Sequence, residues 1–218
     1  MRNPVAWWAI SAALVLLPVV WIGIKKKDPF IILVDDRNRY SLSQLQITLW
    51  TILVLSLLLG VFLARKFAPN AVTNPLAIEI PDELLIVMGI SVGSTTVASA
   101  IKANKDATRA AKIRSREVRP YETSIRAATT KRTRSFWDLI LTEEGDPNVA
   151  ERIDPTKFQN LWLTLIVVAA YAGTAVAVFA PSEVYAAACK LPGFSSNLTT
   201  LLGISHAGYL AGKLPNRD

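Results

Sequence analysis

Five stretches of 17 to 20 residues in this 218-residue chain are apolar enough to lie in a bilayer, and they leave it little freedom in what it can fold into. They run over Val5–Ile24, Leu45–Leu63, Leu84–Ile101, Leu161–Ala180 and Leu198–Leu214. A hydrocarbon core asks for about 20 predominantly apolar residues of helix. A charge at its centre costs about 2.5 to 3.5 kcal/mol even on insertion scales. The first four stretches hold no Asp, Glu, Lys or Arg, and the fifth holds only Lys213, near its end. The third and fifth are rich in Gly, Ser, Thr and Ala, which predicts that protein rather than lipid surrounds them. Trp7, Trp8, Trp21, Trp50 and Trp162 stand towards segment ends, where an indole can meet the headgroups.

Composition agrees with a lipid-embedded chain. Hydrophobic residues make up 51% and charged residues 19%, against about 25% charged in soluble domains. The formal net charge of +7 sits in blocks between the apolar stretches, as loops that orient membrane helices require. A lone cysteine, Cys189, excludes an intrachain disulfide, and a lone histidine, His206, excludes a multi-histidine metal site within one chain. The first stretch lacks a small-residue cleavage site and is followed, not preceded, by its lysines, so it is expected to stay as a membrane helix.

Counting Lys and Arg predicts orientation. Twenty lie on the side holding Lys25–Lys27, the central loop and the C-terminus, and four (Arg2, Arg65, Lys66 and Lys190) lie on the other. The positive-inside rule then predicts an outside N-terminus and a cytoplasmic C-terminus.

Self-comparison shows a second layer of order. Ile31–Asp36 matches Leu139–Glu144, and Ser41-x-x-x-Leu45-Gln46 matches Asp154-x-x-x-Phe158-Gln159. Thr51 matches Thr164, and Leu84–Ser91 matches Leu198–Ser205. Gln46 precedes Gly89 by 43 residues and Gln159 precedes Gly203 by 44. Two crossings separate equivalent points, so the repeats are parallel. The expected fold is an all-α polytopic membrane protein of five transmembrane helices, a parallel internal repeat of two helical hairpins plus an extra N-terminal helix. Its parts are the N-terminal helix (1–24), the first repeat (25–102), a basic cytoplasmic linker (103–138) and the second repeat (139–214). Ser41 and Asp154 are suited to N-caps, and prolines 75, 81, 181 and 192 suit irregular external connections.

Several residues are candidates for function, each with a plainer structural use. Gly89-x-x-x-Gly93, Gly208-x-x-x-Gly212 and Ala169-x-x-x-Gly173-x-x-x-Ala177 put small residues one turn apart, which lets backbones approach within the chain or between subunits. Ser91, Ser94, Thr95, Thr96 and Ser99 make the third segment rich in hydroxyls. Bonding one turn back is their default, and lining a path with Gln46, Thr48, Gln159 and Asn160 is the alternative. Gln46, Thr51, Gly89, Ser91, Gly93, Ser94, Thr95, Gln159, Thr164, Gly203, Ser205, His206 and Gly208 are thus the candidates for a pore or for helix packing. His206 breaks the repeat where the first copy has Val92. It suits a gating or proton-sensing group, or more simply a neutral histidine bonded to a neighbouring helix. Asp35, Asp36, Glu143 and Glu144 offer oxygen ligands for a divalent cation, with solvated turn charges the simpler use.

Between Lys102 and Arg134 eleven basic residues face three acidic ones, a net charge of +8. Lys102, Lys105, Arg109, Lys112, Arg114, Arg116, Arg119, Lys131, Arg132 and Arg134 are candidates for anionic lipid or an acidic protein partner. Nucleic acid is not expected, since Tyr121 alone among these charges offers a stacking ring. Asn197-x-Thr199 matches a glycosylation sequon but abuts the membrane.

The stretches Tyr40–Thr51 and Leu201–Lys213 resemble segments of uncharacterised bacterial inner-membrane proteins, in which an SLS-x-x-Q-x-x-x-W helix precedes an L-x-GIS helix. The resemblance covers the two hairpins and implies a bacterial inner membrane, but no activity. No nucleophile–base pair, metal-ligand set or phosphate loop stands out. The leading expectation is a non-enzymatic scaffold or anchor subunit without cofactor, in a homo-oligomer or larger membrane complex. An oligomeric pore lined by the third and fifth segments comes second, then a small transporter, then a membrane enzyme.

Overall fold

The computed structural model describes residues 3–35, 38–68, 72–114, 134–142 and 152–214. It is mostly helical: α1 (Pro4–Lys26), α2 (Leu42–Lys66), α3 (Asp82–Arg114), α4 (Pro155–Ala175), a one-turn α5 (Pro181–Val184) and α6 (Ser196–Ala211). Four helices are long and apolar enough to cross a membrane, over Pro4–Lys26, Leu42–Lys66, Asp82–Asn104 and Pro155–Phe179. The last includes a 3-10 turn, Val176–Phe179, that extends α4. The fifth expected segment forms α6, which has 16 residues, about 24 Å of helix.

Two-residue strands β1 (Ile78–Glu79) and β2 (Cys189–Lys190) pair in parallel, Ile78 opposite Cys189 and Glu79 opposite Lys190. The expectation of irregular connections there is therefore corrected. The connections after α2 and after α4 meet and share backbone bonds, Cys189 N to Ala77 O and Leu191 N to Glu79 O, both 3.0 Å. We call this the strand end of the bundle. The opposite, turn end holds the entries to α2 and α4.

Those entries are built alike. Ser41 N donates to Leu33 O and Asp154 N to Ile140 O, both at 2.8 Å. Asp35 N donates to Arg39 O and Thr142 N to Arg152 O, at 2.9 and 3.0 Å. A 3-10 turn precedes each, Ile31–Leu33 and Phe136–Leu139. The expected pairing of Ile31 with Leu139 is thus off by one, because equivalence follows the hydrogen bonds and not the run of apolar letters. Capping differs as well. The Asp154 carboxylate accepts from Thr156 N at 2.9 Å and Lys157 N at 3.3 Å, while the Ser41 hydroxyl makes no cap bond.

The core is apolar towards the strand end. Trp50, Leu57, Val61, Val167, Tyr171, Phe179, Leu84 and Leu202 are all buried there. Tyr171 stacks on Phe194, and Trp50 meets both rings edge-on. Contrary to expectation, α2 and not α3 is the helix most enclosed by protein: 44% of its apolar window is buried, against 28% for α3. Only 6% of the α1 window is buried. That helix leans on α2 at one crossing, where Ser11 Oγ lies 2.6 Å from Ser56 O and Trp8 Nε1 donates to Ser56 Oγ at 3.1 Å. Gly60 permits the crossing, since a Cβ there would fall 2.9 Å from Ser11 Oγ and 3.0 Å from Trp8 Cα. Trp8 is accordingly a packing residue, stacked on Phe179 with centroids 5.7 Å apart.

Candidate functional site

Nearer the turn end the interior changes character. Ser43 and Gln46 on α2, Ser91 and Ser94 on α3, Asn160 and Thr164 on α4, and Ser205 and His206 on α6 are all buried. Spacing explains it: Ser43, Gln46 and Trp50 lie three and seven residues apart along one helical face, as do Lys157, Asn160 and Thr164. Polar side chains from both hairpins therefore meet in one seam.

Bonds cross the seam between helices. Thr164 Oγ1 donates to Asn160 O at 2.8 Å, which leaves its oxygen free to accept from Gln46 Nε2, also at 2.8 Å. That chain sets the Gln46 amide, with Oε1 turned away from Thr164. Ser205 Oγ bonds Asn160 Oδ1 at 3.3 Å. His206 Nδ1 lies 3.0 Å from Ser94 Oγ, and Ser43 Oγ lies 2.9 Å from Tyr209 Oη. Thr95 Oγ1 donates to Ser91 O at 2.8 Å and approaches Ser43 O at 3.2 Å. Ser94 and Thr96 also bond one turn back, to Ser91 O and Val92 O. Three polar atoms have no partner among the described residues: Gln46 Oε1, Ser91 Oγ and Asn160 Nδ2. Each belongs to a residue no more than 1% exposed.

A small cavity opens beside the seam at the turn end, lined by Val34, Asp35, Ser41, Ser43, Gln44, Thr95, Ala98, Ser99 and Lys102. Its wall carries an ion pair, Lys102 Nζ to Asp35 Oδ2 at 2.7 Å. Further cations are buried nearby: Lys157 Nζ donates to Leu141 O at 2.8 Å, and Lys213 lies 4.7 Å over the Tyr209 ring. Tyr40 stacks on Phe136 in the same layer. Burial first, and then the Asp28 carboxylate, raise its phenol above the ordinary value.

The strand end holds a different cation. Arg65 is 1% exposed, and no carboxylate among the described residues pairs with it. Its guanidinium donates instead to four carbonyls: Val184 O at 3.3 Å, Ala186 O at 3.0 Å, Asn74 O at 2.9 Å and Ala187 O at 3.1 Å. Beside it the Cys189 thiol is pushed up by burial, an effect the Arg65 charge opposes without cancelling.

The expected site residues divide clearly. Gln46, Ser91, Ser94, Thr95, Thr164, Ser205 and His206 line or adjoin the seam. Gln159 and Thr51 do not: both are exposed, and Asn160 and Trp50 take the buried positions beside them. The two glutamines were matched by identity, whereas the helical face decides which of two neighbours turns inward. Gly203 packs on Ile90, 3.7 Å from a built Cβ, but Gly89, Gly93, Gly173 and Gly208 have nothing within 4 Å. Close packing within the chain, the plainer expectation for those four, is therefore corrected. Ser43, Tyr209 and Arg65 were missed, although Ser43 and Tyr209 stand three residues from Gln46 and His206 on the same faces.

Of the basic candidates, Lys102 pairs with Asp35, and Arg134 bonds the Asp28 carboxylate and Asn38 Oδ1. Lys105, Arg109, Lys112 and Arg114 lie on α3 with side chains outside the described part, and Arg116, Arg119, Lys131 and Arg132 lie outside the described residues. So do Asp36, Glu143 and Glu144 of the weak metal set. Among the described residues no group of three or more His, Cys, Asp and Glu is placed to hold a metal ion.

No family model, no curated protein and no solved structure matches the chain.

Proposed function

We propose that the chain is a non-enzymatic membrane scaffold that assembles with further copies of itself through the open glycine faces of α3, α4 and α6. The supporting observation is the contrast among glycines. Gly60 is filled on every side by Trp8, Ser11 and Phe179, while Gly89, Gly93, Gly173 and Gly208 face open space. Lipid supplies no hydrophobic drive between helices, so backbones that approach through small residues are the main route to association in a bilayer.

In this reading the chain is a duplicated pair of hairpins with five spans, α6 included, in a bacterial inner membrane. The strand end faces outward and the basic turn end faces the cytoplasm. The like-built entries to α2 and α4 support the duplication. Lys25 over Trp21, 4.2 Å from the ring, and the exposed rings of Phe30, Phe136 and Trp137 support a headgroup layer at the turn end. The linker's positive charge holds anionic lipid or an acidic partner there. Native mass spectrometry from nanodiscs tests the assembly. The expected result is an oligomer that Gly93→Leu and Gly208→Leu reduce to monomers of unchanged melting temperature. A wild-type monomer would sink the proposal.

The second reading is a pore, favoured by the exposed hydroxyls of Thr96 and Ser99 beside Gly93 on α3. Ion flux through proteoliposomes of the purified chain, abolished by a bulky residue at Ser94 or Thr95, would replace the scaffold with it.

A further inference from the structure

Beyond assembly, we infer that the seam between the hairpins is a water-binding site, filled from the turn end past the Asp35–Lys102 pair and closed towards the strand end. Three facts converge on it. Buried polar atoms in native proteins are nearly always bonded to protein or ordered water, and here three from three different helices are unpartnered: Gln46 Oε1, Ser91 Oγ and Asn160 Nδ2. Their chemistry selects the occupant. Gln46 Oε1 needs a donor, which excludes a simple anion, and Asn160 Nδ2 needs an acceptor, which excludes a metal cation. Water is both.

Geometry supplies the route. Ser43 and Thr95 line the cavity at the turn end. Gln46 is three residues along α2 from Ser43, and Ser91 is four residues along α3 from Thr95. The unpartnered atoms thus sit one helical turn, about 5.4 Å, deeper than the cavity wall. Tyr209 Oη, 2.9 Å from Ser43 Oγ, marks the same level on α6.

The strand side is closed by the rings of Trp50, Tyr171 and Phe194. Tyr171 Oη is also without a partner. It stands among rings, however, and a buried water needs about two to four polar partners. A lone hydroxyl among rings stays dry, and a cluster of amides and hydroxyls does not.

Tyr209 and Tyr171 therefore form a matched pair: the same side chain, 1% and 2% exposed, on opposite sides of the closure. X-ray hydroxyl-radical footprinting of the full chain in nanodiscs, which modifies side chains next to bound water, compares them directly. Tyr209 is expected to be modified several-fold faster than Tyr171. Equal protection of both overturns the site. Ser99→Trp, at an exposed position on the cavity wall, is expected to slow Tyr209 modification and leave Tyr171 unchanged. Unchanged Tyr209 modification in that variant overturns the route from the turn end. Gln46→Leu with Asn160→Leu removes the amides and is expected to lower Tyr209 modification. Where this variant misfolds, Tyr171 becomes reactive as well, and Ser91→Ala, which removes a single unpartnered oxygen, takes its place with the same expected direction. Modification of Tyr209 that requires added sodium or potassium would mean a cation site and overturn the assignment to water.

Discussion

Arg65 at the strand end and Gln46 in the seam are both polar groups that α2 carries into the protein, and they are settled in opposite ways. Around Arg65 the backbone of two connections supplies four carbonyls to one guanidinium. Around Gln46 four helices supply side chains that leave Oε1, Ser91 Oγ and Asn160 Nδ2 unpartnered. A carbonyl cluster is fixed by the path of the chain, so it holds the two connections rigidly against each other. A seam of side chains can rearrange its bonds and accept a small guest. The molecule is latched at one end and adaptable nearer the other.

That contrast can be broken by substitution, and the largest effect is expected at the latch. Arg65→Met removes a buried charge and strands the carbonyls it holds. Breaking a buried charged network costs about 3 to 5 kcal/mol, read as loss of thermal stability in detergent. Arg65→Lys recovers only part, because one ammonium cannot reproduce a planar fork. In the seam, Gln46→Leu is expected to cost about 1 kcal/mol, the scale of one net hydrogen bond, since it also removes an unpartnered oxygen. A loss equal to that of Arg65→Met would show the seam to be as rigid as the latch.

At the helix entries, Asp154→Ala is expected to cost about 1 kcal/mol through loss of a working N-cap. Ser41→Ala, which removes no cap bond, should be nearly silent, and equal losses would argue against the difference in capping. The smallest effect is at Cys189. Its folded thiol ionises above the ordinary value of 9.0, so the unfolded chain releases its proton first. Stability is therefore expected to fall slightly as the pH rises through about 9. Alkylation at pH 8.5 should track unfolding, and fast labelling of the folded chain would contradict the burial.

The four long helices could be read directly, because apolar length is a property of consecutive residues. The entry turns were visible as matched motifs, one residue out of register at Ile31–Asp36. Other features depend on what a distant segment brings. Arg65 was counted as an ordinary outside charge, since nothing near it in the chain announces carbonyls from residues 184 to 187. Gln159 was preferred to Asn160 because letter identity was matched before helical phase. Gly93 and Gly208 had the spacing for close packing, but spacing does not say whether the partner belongs to the same chain.

The parallel pairing of β1 with β2 has a consequence for how the protein is made. Arg65 and Val184, one of its acceptors, are 119 residues apart, and the chain is synthesised from its N-terminus. The first hairpin therefore enters the membrane with its guanidinium still hydrated and its strand unmatched, and stays so until the second hairpin arrives. Closure of the strand end is the last event of biogenesis, a built-in test that the whole polypeptide has been inserted.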